Sequence, residues 1–311
     1  MDGKDQYADL MEELTRQPLE DEMYMGDPVV CTDAPQFFDL VRASPFDNGR
    51  WVFRGQCDEK WRLQPLIERL FLDCQATAFI EGTLDTGGLA RFVIREFRRR
   101  VHNYLSELPR DDDDEEWLAL MRHYGAPTKL LDWTKSPYVA AFFATADARN
   151  TDSAVWAIDR VSVQEEARRM LGVNQMSSIS VPEHLLGLRY GPAASTPPVV
   201  VPLWPFRMNE RLTIQQGLFL SQNTLRWPFE ACLKHVLRSA SANRRLDRKW
   251  LRKLVVTKSA RLQVLRELEM MNINYATLFP GLDGFARSLT IAMEIRTLAA
   301  CDPAHRFDEE P

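Results

Sequence analysis

The sequence predicts an α+β fold. Amphipathic helical segments and short apolar strands interleave along the chain without the regular βαβ repeat of a doubly wound sheet. Cap and turn signals separate them. At 311 residues the chain is long enough for one dominant domain or two modest ones. Its apolar fraction of 45% and charged fraction of 27% exclude wholesale disorder. No apolar run approaches the ~18 residues needed to span a bilayer.

The elements follow in order. Tyr7 to Leu14 has amphipathic helical spacing within an acidic extension expected over residues 1–30 as a mobile or docking segment. Residues 34–42 read as a helix, and 51–55 as a buried strand closed by Gly55. Residues 89–108 have helical spacing, with Leu89, Phe92, Val93, Phe97, Val101 and Leu105 on one side and arginines on the other. Pro109 ends that helix, and the acids from Asp111 favour the start of the next, which Gly125 closes. Residues 128–134 read as a strand. Ser136 and Pro137 then supply an N-cap and first-turn proline for a helix. Residues 154–161 read as a strand and 172–200 as an irregular insertion. Three strand-like segments follow, at 199–206, 211–220 and 251–257, with a helical stretch at about 228–240. Residues 260–273 read as the final amphipathic helix. The principal domain is expected over 31–300 and a polar tail over 301–311.

Charge is unevenly spread. The net charge of −5 comprises −6 in residues 1–26, −6 in Asp111–Glu116, and a remainder of about +7. An acidic average therefore coexists with a basic working face. The N-terminus is acidic and polar, unlike a secretory signal. Five cysteines without CxxC spacing argue against a disulfide scaffold and for a reducing, cytoplasmic setting.

Three islands carry chemistry. In Phe53-Arg54-Gly55-Gln56 a guanidinium leaves a strand beside a glycine, placed to fork onto phosphate or ribose oxygens, or to pair structurally with an acid. His123 to Thr134 packs His123, Tyr124, Asp132, Trp133 and Thr134 around a Gly/Pro turn and a strand. That density of polar and aromatic groups exceeds what a core strand needs, although Trp133 and His123 also fit a core role. On a strand through 211–220, Gln215 and Gly217 share one face, with Gly217 marking close approach of a ligand or a bulge. No HExxH or GxSxG occurs, which excludes the commonest metal-hydrolase and serine-hydrolase patterns.

These islands, FRGQ, RHYGAPTKLLDWTKSPYVAAFFA and NERLTIQQGLF, with Ile273–Pro280 and Leu282–Gly284, resemble the FRG domain family over roughly 34–290. Arg122 stands where the family more often has Gln. The motif order is similar to that of ADP-ribosyltransferases, which implies a split β-sheet core with helices packed around it. The resemblance implies NAD as substrate and no metal. Arg54, Gly55, Gln56, His123, Tyr124, Trp133 and Thr134 would bind it, with Arg54 on its phosphate or ribose and Tyr124 or Trp133 on the nicotinamide. Arg54, Asp132, Thr134 and Gln215 would serve catalysis. Where such transferases carry a catalytic Glu this chain has Gln215 or Gly217, so Asp132, Glu210 or Asp283 must supply the carboxylate, or the module binds without catalysis.

Residues 244–253 interleave six cations with Trp250. Arg244, Arg245, Arg248, Lys249, Arg252 and Lys253 suit a single-stranded nucleic-acid track, or the solvated face of a helix. The expectation is an ADP-ribosyltransferase acting on an intracellular macromolecule, RNA ahead of protein. By family-level analogy it would be a toxin or phage-defence effector held by an inhibitory partner.

Overall fold

Alternating burial along the strands explains the architecture. In β4 (Ser153–Asp159) all seven residues are buried. Ala154, Trp156 and Ile158 join one apolar layer, while Val155 and Ala157 join another. That is the period of a strand covered on both faces. The computed structural model describes residues 7–19, 25–80, 84–173, 196–207, 209–242 and 249–301. With β1 (Val29–Cys31), β2 (Trp51–Gln56), β3 (Leu130–Thr134), β5 (Val200–Leu203), β6 (Gly217–Gln222) and β7 (Leu251–Val256), β4 forms one seven-stranded sheet. The order is β1-β7-β4-β2-β3-β6-β5, antiparallel throughout except where β1 meets β7 at the edge.

Helices cover both faces. On one, α1 (Ala8–Arg16) contributes Met11 and Leu14 to the core. On the other, α2 (Ala34–Arg42) contributes Phe37 and Phe38, started by the Asp33 cap. Next come α3 (Leu66–Ile80) and α4 (Thr86–Arg100), with α5 (Asp114–His123) capped by Asp113. The α6 helix (Pro137–Thr145) starts at Ser136, whose hydroxyl accepts from the Val139 N–H, as its sequence predicts. Following it are α7 (Arg160–Met170), the short α8 (Glu210–Ile214) and α9 (Phe229–Ala242). The chain then forms α10 (Arg261–Met270), α11 (Tyr275–Leu278) and α12 (Leu282–Cys301). The helix expected to be last is thus followed by two more.

Several expectations shift. The described part of the extension, expected to be mobile or docking, is docked: α1 packs on α9, Met25 bridges to Leu251, and Val29–Cys31 joins the sheet. Residues 160–170 continue as a helix because the Asp159 side chain accepts from the N–H groups of Val161 and Ser162, ending the strand. On α4, Val93 and Phe97 pack inward, but Leu89 and Phe92 face solvent. Most of the insertion at 172–200, and the tail from 302, lie outside the described residues.

The strands expected to form a split core make one sheet with an opening in it. β2 pairs with β4 through six residue pairs, but with β3 through Phe53–Thr134 alone. β3 instead aligns with β6 over five pairs. Beyond Phe53, β2 and β3 therefore diverge, and Arg54 and Gly55 stand at the mouth of the gap.

Gly55 is there for packing. A Cβ at this position would lie 2.1 Å from the Ala140 carbonyl and 2.4 Å from the Ala144 nitrogen, both backbone atoms of α6. Only a residue without a side chain lets β2 lie this close to the helix. Gly55→Ala should lower unfolding free energy by about 1–3 kcal/mol, as overpacking does, read as a shift in urea midpoint at unchanged slope.

Candidate functional site

The gap between β2 and β3 opens into a cavity of about 320 Å³. Its walls come from all three sequence islands. Arg54 and Gly55 rise from β2; Asp132, Trp133 and Thr134 come from β3; Asn209, Arg211, Leu212 and Gln215 come from α8 and its caps. The last turn of α5 adds Arg122 and His123, and Phe143 of α6 adds an aromatic wall.

Arg54 reaches across the opening, its Nη1 donating to the Asp132 main-chain oxygen at 2.8 Å. Its Nε is buried with no hydrogen-bond partner. Burial pulls its pKa down to about 10, with Asp132 opposing that pull, so it is cationic at neutral pH. Arg122 clamps the Asp132 carboxylate: its Nε donates to Oδ1 at 3.2 Å and Oδ2 at 2.9 Å, and its Nη2 also donates to Oδ2. Burial alone would raise the Asp132 pKa, but Arg122, then Arg54 and Arg211, hold it below the usual aspartate range. Arg211 lies at the rim, its guanidinium 4.3 Å from the centre of the Phe279 ring, and that ring meets Phe143 edge-on. Burial, opposed by Asp132, lowers the Arg211 pKa. Burial and Arg211 lower that of His123, which favours its neutral form. Three guanidinium groups thus face one carboxylate, a cavity arranged for an anion.

Not every expected residue takes its expected role. Thr134 is buried, with its hydroxyl donating to the Gln215 carbonyl at 2.7 Å and accepting from the Ser136 N–H. It holds α8 against β3 from a position in the cavity lining. Gln215 is not on a strand. Asn209 caps α8 by accepting from the Leu212 N–H, so the chain coils through 210–214 and β6 begins at Gly217. Gln215 is the C-cap of that helix, and its Nε2 donates to the Leu278 carbonyl. Gln56 is buried away from the cavity, bonded to Trp156 and to the Arg62 carbonyl. Tyr124 is exposed and outside the lining; Phe143 and Phe219 are aromatic side chains there that the motifs did not single out. Glu210 and Asp283 are exposed and do not line the cavity. Arg122, Arg211 and Asn209 were missed as site residues, although Asn209 followed by Glu-Arg-Leu is itself a helix-start signal.

The basic stretch is only partly described, since Arg244, Arg245 and Arg248 lie outside the described residues. Its later part is the start of β7, not a helix. Trp250 is buried and unavailable for stacking. Lys253 is buried, 3.3 Å from Glu59 and 5.2 Å from the centre of the Trp156 ring, so it cannot meet a phosphate. Arg252 leans against Gly26, and Lys249 precedes the strand. Among the described residues no group of three or more His, Cys, Asp or Glu could hold a metal, and no helix is long and apolar enough to cross a membrane.

Residues 49–153, from the turn before β2 to the first residue of β4, match the family model of the FRG domain. About a third of the chain is thus similar to the FRG domain. The match holds Arg54, Arg122 and Asp132, the charged centre of the cavity, while Arg211 and Gln215 lie beyond it. Comparison of the chain with curated proteins and with solved structures gave no match.

The depressed Asp132 carboxyl sets the sign of a pH effect. Its ion pair stabilises the fold at pH values above the ordinary aspartate pKa of ~4, and that contribution is lost as pH falls through the depressed value. Asp132→Asn should therefore be less stable than wild type at pH 7. The gap should narrow as urea unfolding is repeated from about pH 5 downward.

Proposed function

We propose that the cavity binds NAD and supports ADP-ribosyl transfer to a macromolecule, with nucleic acid ahead of protein as acceptor. The observation that carries this reading is the convergence of Arg54, Arg122 and Arg211 on one carboxylate in the gap of the sheet. Arg54 and Arg211 supply cationic donors for the phosphates. Phe143, braced by Phe279, offers a flat apolar wall for a ring. Transfer breaks the bond between nicotinamide and ribose, releases nicotinamide, and joins the ribose carbon to an acceptor nucleophile that gives up its proton. Positive charge develops on the ribose as that bond lengthens. Asp132, kept ionised by Arg122, is the anionic group in the cavity able to stabilise it. Arg122 thereby positions a carboxylate whose job elsewhere falls to a glutamate.

A second reading, a module that binds a nucleotide without chemistry, draws on the same ion pair. A carboxylate gripped at both oxygens is a poor base.

Labelled NAD incubated with the protein and cell lysate separates the two. Label that survives protease but not nuclease supports transfer to nucleic acid. NAD binding with no nicotinamide release under any condition supports the second reading. Arg211→Ala, at an exposed rim position, should keep the wild-type unfolding midpoint. It should weaken NAD binding or turnover by about 30-fold or more, the usual loss for a charged partner of a phosphate. Full retention of binding and turnover would remove Arg211 from the site.

A further inference from the structure

The exposed face of α4 has no role in the cavity, and it carries a pattern that the strand at 251–256 does not. Arg91, Arg95 and Arg99 follow one another at four-residue spacing on one side of the helix, about 6 Å apart along its axis. All three are exposed, as is Arg100. Phe92 stands beside them at 53% exposure, with the Arg95 guanidinium 5.9 Å from its ring centre. Past the helix end Tyr104 is 81% exposed.

The ridge itself keeps a net charge of about +3, from Arg91, Arg95, Arg99 and Arg100 against Glu96, with the acidic start of α5 at 111–116 beside it. Glu96 is the one acid on α4, and it serves Arg99 at 3.1 Å, Arg100 at 2.9 Å and Arg95 at 3.9 Å. Asp111 and Asp114 pair with Arg98, and Asp112 with Arg110. The helix packs on α5, whose last turn carries Arg122 and His123. The ridge therefore borders the element that forms one wall of the cavity.

We infer that the exposed face of α4, with Arg91, Phe92, Arg95, Arg99 and Tyr104, is a binding track for single-stranded nucleic acid. Spaced cations meet successive phosphates, and two exposed rings offer faces on which unpaired bases stack. Single-stranded nucleic acid engages both features at once, its phosphates meeting the cations and its unpaired bases the rings. The track deepens the transfer reading by naming the surface that presents the acceptor. Binding is measured without NAD, so it stands or fails separately from the chemistry.

The test is fluorescence anisotropy of the full chain with a labelled 20-nucleotide single-stranded RNA across a salt series. An oligoglutamate peptide is the comparison ligand, and circular dichroism checks the fold. Arg91→Gln, Arg95→Gln and Arg99→Gln together should reduce the slope of log affinity against log salt by about 2. Phe92→Ala and Tyr104→Ala should each weaken binding roughly 5-fold or more without changing that slope. Arg244→Gln, Arg245→Gln and Arg248→Gln together should change the slope less than the α4 variants do. Absence of RNA binding by wild type, an unchanged slope in the folded α4 variant, or oligoglutamate bound as tightly as RNA would each overturn the inference. So would a larger slope change from the 244–248 variant.

Discussion

Three guanidinium groups brought to one cavity repel one another, and burial makes each charge harder to keep. The carboxylate of Asp132 offsets both effects. It is gripped by Arg122 and lies within the field of Arg54 and Arg211. Its backbone serves as well, because the Asp132 carbonyl accepts the Arg54 side chain across the opening between β2 and β3. One residue thus fixes the charge balance of the cavity and ties its two sides together. The gap can remain open with its cations partly offset by that carboxylate, although the buried Arg54 Nε is left without a hydrogen-bond partner.

Around that opening the fold is arranged to keep it from closing. Gly55 lets α6 lie directly on β2, which holds the strand toward β4. Thr134 binds the carbonyl at the end of α8, which holds β3 toward β6. The cap formed by Gln215 reaches the end of α11. These groups, which line the cavity, also tie together the elements that carry Arg54 and Arg211.

Much of this was legible in sequence where the signal was local. Ser136-Pro137 marked the start of α6, and apolar runs marked β2, β3, β4 and β7. Arg54, His123 and Asp132 stood out as polar groups beside strands. Signals that depend on distant partners were not legible. Residues 211–215 look strand-like by composition, yet the Asn209 cap and contacts with β6 and α11 make them helical. Lys253 looked like a free cation because Glu59 and Trp156, which enclose it, are far away in the chain. Nor does the sequence show the hydrogen bonds of Thr134 and Gln56, whose partners belong to other elements.

The strand order has a consequence for how the chain is made. The family-matched segment contains β2 and β3 and reaches only the start of β4, the middle of the sheet. The outer neighbours of that middle, β6 and β7, are synthesised later, and β1 can pair only once β7 exists. A nascent chain that stops after β4 therefore presents two unpaired apolar strand edges, one on β3 and one on β4. Such edges are templates for aggregation. The segment that carries the family signature lacks the strands that cover its two edges, and the ribosome must reach β7, at 251–256, before the sheet can close them.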